Sequence, residues 1–288
     1  MRGLNHQLKQ LCRHNREGSF GTQIRREREL TLLANQLHEI GFRGMNSHSL
    51  KPKHVEGLVR HWLEREVAAG TIKNRMAAVR WWARKVNRQN VVARSNDFYG
   101  IPNRIFVTGS SKARSASATQ LEKVRDQHVR MSLELQQAFG LRREESIKFM
   151  PSHADQADHL VLKPSWTKGG KVRAIPIRTE DQRIVLDRAH KLAGKGSLIP
   201  SHRNYVQQLR IYEGHTLRAG LSKMHGLRHA YAQRRYEELT GWHSPAAGGP
   251  PSKSLTREQR DQDHQARLVI SRELGHEREQ ITSVYLGR

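Results

Sequence analysis

Five short stretches of this sequence carry side chains that could act on an anionic substrate. Gly140-Leu141-Arg142-Arg143-Glu144-Glu145-Ser146 brings an arginine pair with two carboxylates, and Lys168 stands in Thr167-Lys168-Gly169-Gly170-Lys171. His225-Gly226-Leu227-Arg228-His229 combines two imidazoles with another arginine, and Leu274-Gly275-His276 is followed, nine residues after His276, by Tyr285. Arginine forks bind oxyanions through parallel hydrogen bonds, and an imidazole exchanges protons near neutral pH. A tyrosine hydroxyl becomes a nucleophile when a neighbour takes its proton. Taken singly, each stretch is ordinary: an arginine pair in a basic protein is usually surface charge, a turn lysine is usually solvated, and a late tyrosine usually packs. Other chemistries lack their residues. No glycine-rich loop ends in Gly-Lys-Ser/Thr, and there is no His-Glu-x-x-His, no paired-cysteine spacing and no acidic cluster of the kind a two-metal nuclease uses. His225 and His229 are four apart, but no carboxylate or third ligand stands in register with them. No cofactor and no metal are expected.

The elements that must hold these residues read as mostly helix with one small sheet. In the first part, 23–42 places Ile24, Leu30, Leu33, Leu37 and Ile40 at near-helical spacing. Residues 54–70 put Val55, Leu58, Val59 and Trp62 on one stripe, and Gly70 reads as the stop. Thr71 reads as the cap of a helix over 72–88 with Ile72, Met76, Val79 and either Trp82 or Ala83 on its apolar side. Lys73, Arg75, Arg80, Arg84, Lys85 and Arg88 fill its other positions, either a basic face for DNA or a solvated one. Residues 100–118 mix Gly, Pro, Ser and basic residues without helical period, which predicts a linker at 109–118 between a domain at 1–108 and another at 119–288. The second domain opens on Thr119-Gln120-Leu121-Glu122, a capping-box pattern ahead of a helix reaching about Phe139. Two β-prone runs, 160–166 and 172–177, flank the Gly-Gly pair and predict a hairpin with Lys168 in its turn. Helix returns from 179, broken by a Pro/Gly/Ser-rich stretch at 240–254 that reads as a flexible loop. A polar helix starts near Thr256.

Composition narrows the partner. The formal net charge is +24 over 288 residues, far more of one sign than solvation needs, and it points to a polyanion. Residues 1–110 hold 20 Lys/Arg against 8 Asp/Glu and the remainder 31 against 19, so both halves carry the excess equally. That pattern suits two domains that both touch a nucleic-acid backbone; a ribosomal or RNA-packaging protein would be basic throughout as well. No run approaches the length of a membrane span, the N-terminal residues lack the apolar core of a secretory signal, and the single cysteine, Cys12, forms no intramolecular disulfide. A cytoplasmic location without membrane contact is expected.

The joint order of the five stretches resembles the tyrosine recombinase and phage-type integrase family: Arg, a hairpin Lys, His-x-x-Arg, His, then Tyr. Gly140-Leu141-Arg142 is similar to the family's Gly-Leu-Arg, with Glu145 where a carboxylate is common, which selects Arg142 over Arg143. Thr167 to Arg173 resembles the family's lysine turn, in which the first lysine matters, and His225 to His229 resembles His-x-Leu-Arg-His. The first half resembles the family's helical core-binding domain, most visibly at Gly70-Thr71-Ile72. The resemblance implies a helical core-binding domain followed by an α+β catalytic domain, acting on double-stranded DNA at specific sites as a homotetramer on synapsed duplexes. It implies a catalytic set of Arg142, Lys168, His225, Arg228, His276 and Tyr285. Tyr285 would attack, the two arginines and His276 would hold the phosphate, His225 would take the phenolic proton, and Lys168 would protonate the leaving 5′-oxygen. Two features depart from the family pattern. Arg228 and His276 lie 48 residues apart, longer than usual, and three residues follow Tyr285 where many relatives continue into a docking segment. The extra sequence between Arg228 and His276, a flexible part at 244–254 and a polar helical part from near Thr256 into Val269 and Ile270, is therefore expected to supply part of a protomer–protomer or DNA contact. A type IB topoisomerase and a non-catalytic DNA-binding protein remain the alternatives.

Overall fold

The computed structural model describes residues 3–276 and 278–288. The chain folds as two compact units, the first ending at Ile105 and the second running from Phe106 to Arg288. The first unit is helical: α1 (Gly3–His14), α2 (Phe20–Glu39), α3 (Pro52–Glu64) and α4 (Ala69–Lys85). Their apolar stripes meet in one core in which Leu33, Leu37, Val55, Leu58, Trp62, Ile72, Met76, Val79 and Trp82 are fully or almost fully buried. Both deep indoles find acceptors, as buried Trp N–H groups must: Trp62 donates to Gln36 Oε1 at 2.9 Å and Trp82 to the Ser47 carbonyl at 2.8 Å.

Several local expectations shift. Ile24 lies outside the core and is exposed. Helix α3 ends at Glu64, not Gly70: Glu66 takes a left-handed conformation (φ 53°) while the Val67 N–H returns to the Trp62 carbonyl. That is the closing geometry usually given to glycine, so no residue type announced it. Gly70 and Thr71 then lie inside α4, whose N-cap position is Ala68. Part of the basic face of α4 is occupied within its own unit. Arg80 donates to the Ala93 carbonyl and to Asn96, Arg75 lies 5.4 Å over the Trp62 ring, and Lys85 pairs with Glu17.

The second unit contains α5 (Ala118–Glu122), α6 (Gln127–Phe139), α7 (Arg143–Ile147), α8 (Pro151–Ala154), β1 (His159–Leu162), β2 (Arg173–Pro176), α9 (Glu180–Ala193), α10 (Tyr205–Arg218), α11 (His225–Thr240), α12 (Arg257–Glu273) and α13 (Ser283–Leu286). The helix expected from Thr119 to Phe139 is two, because Asp126 accepts from the Val129 N–H and starts a fresh helix. The capping box of α5 uses Ser117 and Gln120. Strands β1 and β2 pair antiparallel with Leu162 opposite Arg173, and Leu160, Leu162 and Ile175 turn inward to the core. Their connection spans 163–172 and contains a short 3-10 turn, so it is a loop rather than a tight turn. The architecture is helical first unit, then α+β second unit with one small antiparallel sheet. Among the described residues no helix is long and apolar enough to cross a membrane.

Candidate active site

Helix α6 stops where Gly140 turns left-handed (φ +61°), and a Cβ there would sit 2.6 Å from the Tyr231 ring. Only glycine satisfies both conditions, and the turn it makes aims Arg142 back towards α12. Arg142 is the N-cap residue of α7: its main-chain N–H donates to Glu145 Oε2 at 2.7 Å and its Nη1 to Glu145 Oε1 at 2.7 Å. Arg143 points the other way and pairs with Glu213 at the surface, both side chains about half exposed. The adjacent arginines thus divide between cluster and solvent.

Two further guanidiniums converge on the same place. Arg228, on the first turn of α11 and 1% exposed, donates to the Gly140 carbonyl at 2.5 Å and to the Leu274 carbonyl. Arg173, on β2, holds both Glu145 oxygens (3.1 and 2.7 Å) and the Leu274 carbonyl (3.2 Å). Arg142 Nη2 reaches that carbonyl at 3.3 Å. Leu274 ends α12, where carbonyls lack partners within the helix and carry its negative dipole end. Among the described residues, one carboxylate and one helix-terminal carbonyl therefore bind three guanidiniums, an excess of two positive charges over that carboxylate.

Burial first, and that excess second, set the titration behaviour. Burial alone would raise Glu145, but Arg173, Arg228 and Arg142 outweigh it and hold the carboxyl below its ordinary value. Burial, then Arg173 and Arg142, push Arg228 down to about 10, still charged at neutral pH. Burial first and the arginines second lower His225, and the same causes push His276 down to about 3. Burial, followed by His225, pushes His229 down to about 4. All three imidazoles are neutral at pH 7, the form that can accept a proton.

Tyr285, on α13, is 6% exposed. Its hydroxyl lies 3.2 Å from His225 Nε2. Its ring lies near-parallel to His229 (centroids 4.4 Å, 33°) and His276 (5.2 Å, 30°), with the Arg228 guanidinium 5.9 Å from its centroid. Among the described residues, Arg228 Nε, Arg173 Nε, His229 Nδ1 and His276 Nδ1 are buried without a hydrogen-bond partner, an unusual concentration of unmet donors and acceptors. A cleft of about 990 Å³ opens over this cluster, lined by Arg142, Lys168, His225, His276, Arg278 and Tyr285 among others. Lys168 stands exposed on its rim, on the β1–β2 loop.

Of the six residues singled out in the sequence, five are knit together directly and Lys168 faces the same cleft. Arg173 was not singled out. Its signal was present: on β2 it shares the inward parity of Ile175, and an arginine at an inward strand position needs a buried partner. His225 and His229 face Tyr285, and among the described residues no three His, Cys, Asp or Glu side chains converge as a metal site.

Comparison with known proteins adds two family matches: residues 1–92 match the N-terminal domain of phage integrases, and residues 107–234 match the integrase domain. A search of curated protein sequences returns no match. Among solved structures, a lambda integrase dimer bound to a COC′ core site superposes with a TM-score of 0.63 at 15% identity, over 99% of this chain and 78% of that one. The XerH recombinase in a post-cleavage complex with palindromic difH gives 0.61 at 14% identity, over 99% and 81%. The Tn1549 transposon integrase (residues 82–397) with circular-intermediate DNA gives 0.59 at 14%, over 100% and 96%. At such identities the structural likeness concerns the fold.

Proposed function

The chain belongs to the tyrosine recombinase family and is a site-specific DNA recombinase of the integrase type, and from that premise we propose that Tyr285 cuts DNA by forming a 3′-phosphotyrosyl link. The reading rests on the Tyr285 hydroxyl against His225 beside three guanidiniums, those of Arg142 and Arg173 on Glu145 and that of Arg228 on two main-chain carbonyls. A phosphodiester repels nucleophiles, and its transition state gathers charge on the non-bridging oxygens, so preset cations are the main requirement. Arg142 opens to the cleft, and Arg228 reaches a phosphate oxygen by giving up its bond to the Leu274 carbonyl. His276, neutral, donates one N–H to the same phosphate. The Tyr285 oxygen attacks phosphorus as its proton passes to His225. The bond to the 5′-oxygen breaks, and Lys168 supplies the proton that oxygen needs. The link conserves the bond energy, so the 5′-hydroxyl of another strand can attack it, returning the tyrosine and joining new partners.

The matching family models are those of phage integrases, and the solved structures of like fold are integrases and a recombinase, so the topoisomerase and non-catalytic alternatives are not favoured. In this proposal residues 1–108 form the core-binding domain, 109–118 the linker and 119–288 the catalytic domain. The equal basic excess of both halves suits a chain that grips double-stranded DNA from both units. A homotetramer on synapsed DNA is proposed on the same ground, since lambda integrase has been solved as a tetramer on a Holliday junction. The protein works where its DNA lies, in the cytoplasm.

The arginine cluster supplies the positive charge that a metal would otherwise bring. Covalent capture of a nicked DNA substrate is therefore expected to proceed in millimolar EDTA without nucleotide, and DNA affinity to fall steeply with salt. A strict Mg²⁺ requirement for the covalent step contradicts the mechanism. Lys168→Ala is expected to slow cleavage more than Lys171→Ala does. A substrate with sulfur at the 5′-bridging position, which needs little protonation to leave, should restore much of the Lys168→Ala loss. Equal defects in the two variants without rescue remove Lys168 from the general-acid role.

A further inference from the structure

Tyr285 rides on a helix of four residues, far too short to hold its own conformation. Something outside α13 must seat the ring against His229 and His276 with its hydroxyl at His225. Two main-chain carbonyls of this segment are gripped by side chains from long helices. The Tyr285 carbonyl accepts from Gln233 Nε2 on α11 at 3.0 Å, and the Gly287 carbonyl accepts from Arg267 Nη1 on α12 at 3.0 Å. Both donors are buried, Gln233 at 9% and Arg267 at 5% exposure.

Each donor is itself fixed. Arg267 Nε contacts both oxygens of Asp263 (2.8 and 2.9 Å), Asp263 accepts from the Tyr236 hydroxyl at 2.6 Å, and the guanidinium lies 5.7 Å over the Tyr236 ring. Gln233 Oε1 accepts from the Ser111 hydroxyl at 3.0 Å, which leaves its amide N–H facing Tyr285. The third wall is the stretch expected to be a flexible loop. Pro245–Ala247 forms a 3-10 turn, Ser244 is wholly buried, and the Ser244 carbonyl accepts from the N–H groups of Ala247 (2.8 Å) and Gly249 (3.0 Å). A Cβ on Gly287 would lie 2.7 Å from the Ala246 nitrogen, so that turn and the residues after Tyr285 touch backbone to backbone. The added sequence between Arg228 and His276 thus packs on the tyrosine's own segment.

We propose that Gln233 and Arg267 are positioning residues: by clamping the carbonyls of Tyr285 and Gly287 they dock the nucleophile before DNA is cut. This rests on Tyr285 being the nucleophile. Clamp and phosphate machinery differ in a measurable way. Once the tyrosine is bonded to DNA, the bond itself holds it in place, so loosening the clamp slows cleavage while leaving rejoining from the covalent adduct intact. Loss of a phosphate-binding group, or a shrunken folded fraction, lowers both.

The test uses the full-length protein with Gln233→Met, which keeps the volume and removes the donor, and Arg267→Lys, which keeps the charge beside Asp263. Single-turnover cleavage at saturating DNA is compared with religation, started by adding a 5′-hydroxyl strand to the isolated adduct. Each variant is expected to cleave about tenfold more slowly, the worth of one hydrogen bond. Religation and DNA affinity should stay within about twofold. Cleavage at the wild-type rate in both variants, or cleavage and religation slowed alike, overturns the proposal. A Tyr285→Phe protein that still forms the adduct overturns instead the reading on which the proposal rests, so the two failures are distinguishable.

Discussion

Tyr285→Phe is expected to abolish covalent capture of DNA, a loss on the order of 10⁴-fold or more, as when other covalent enzymes lose their nucleophile. The substitution removes one oxygen and keeps the ring that packs near-parallel to His229 and His276. The clamp on the main chain is untouched, since Gln233 binds the Tyr285 carbonyl and not its side chain. Folding and DNA affinity should therefore remain close to wild type, and a filter-binding or gel-shift assay run beside the capture assay checks this. A Phe protein that still yields a denaturation-resistant adduct places the nucleophile elsewhere.

Arg228→Lys is the second large effect, a fall in cleavage on the order of 10²–10³-fold, the usual cost of one transition-state donor. The charge survives the change, so the loss measures geometry. A lysine cannot span the Gly140 and Leu274 carbonyls that Arg228 holds together, nor present two parallel N–H groups to a phosphate. Arg142 and Arg173 still hold the Leu274 carbonyl, but a lysine turned towards it leaves the Gly140 carbonyl without this donor, costing about 1–3 kcal/mol of stability, to be read as a lowered thermal midpoint. Because the phosphate is held in both directions of the reaction, religation should fall with cleavage, unlike the result expected from loosening the clamp. Cleavage within about tenfold of wild type shows that Arg228 does not stabilise the transition state.

How much of this was legible beforehand depended on whether the signal was local. The polar helix expected near Thr256 is α12, which begins at Arg257 with Thr256 as its cap. The residues that gather around the cleft were visible because each sits in a short stretch with its own spacing. What stayed hidden depends on partners distant in sequence. Arg173 has meaning only once Glu145, 28 residues away, lies opposite it. The end of α3 rests on Glu66 adopting a left-handed conformation that glycine usually marks. The stretch 240–254 looked flexible because Pro, Gly and Ser dominate it, yet the same residues allow tight 3-10 turns and a close backbone approach to Gly287. Composition reports conformational freedom in the unfolded chain, not whether a folded neighbour removes it.

Whether the chain cuts DNA through Tyr285 is read from the chemical structure of the covalent complex. A nicked substrate captured by the wild-type protein in EDTA is digested with protease and nuclease, and the joined peptide is sequenced by mass spectrometry. A nucleotide attached through its 3′-phosphate to the Tyr285 oxygen, with a free 5′-hydroxyl on the released strand, is the predicted result. Attachment to another residue, or a tyrosine linked to a 5′-phosphate, contradicts it.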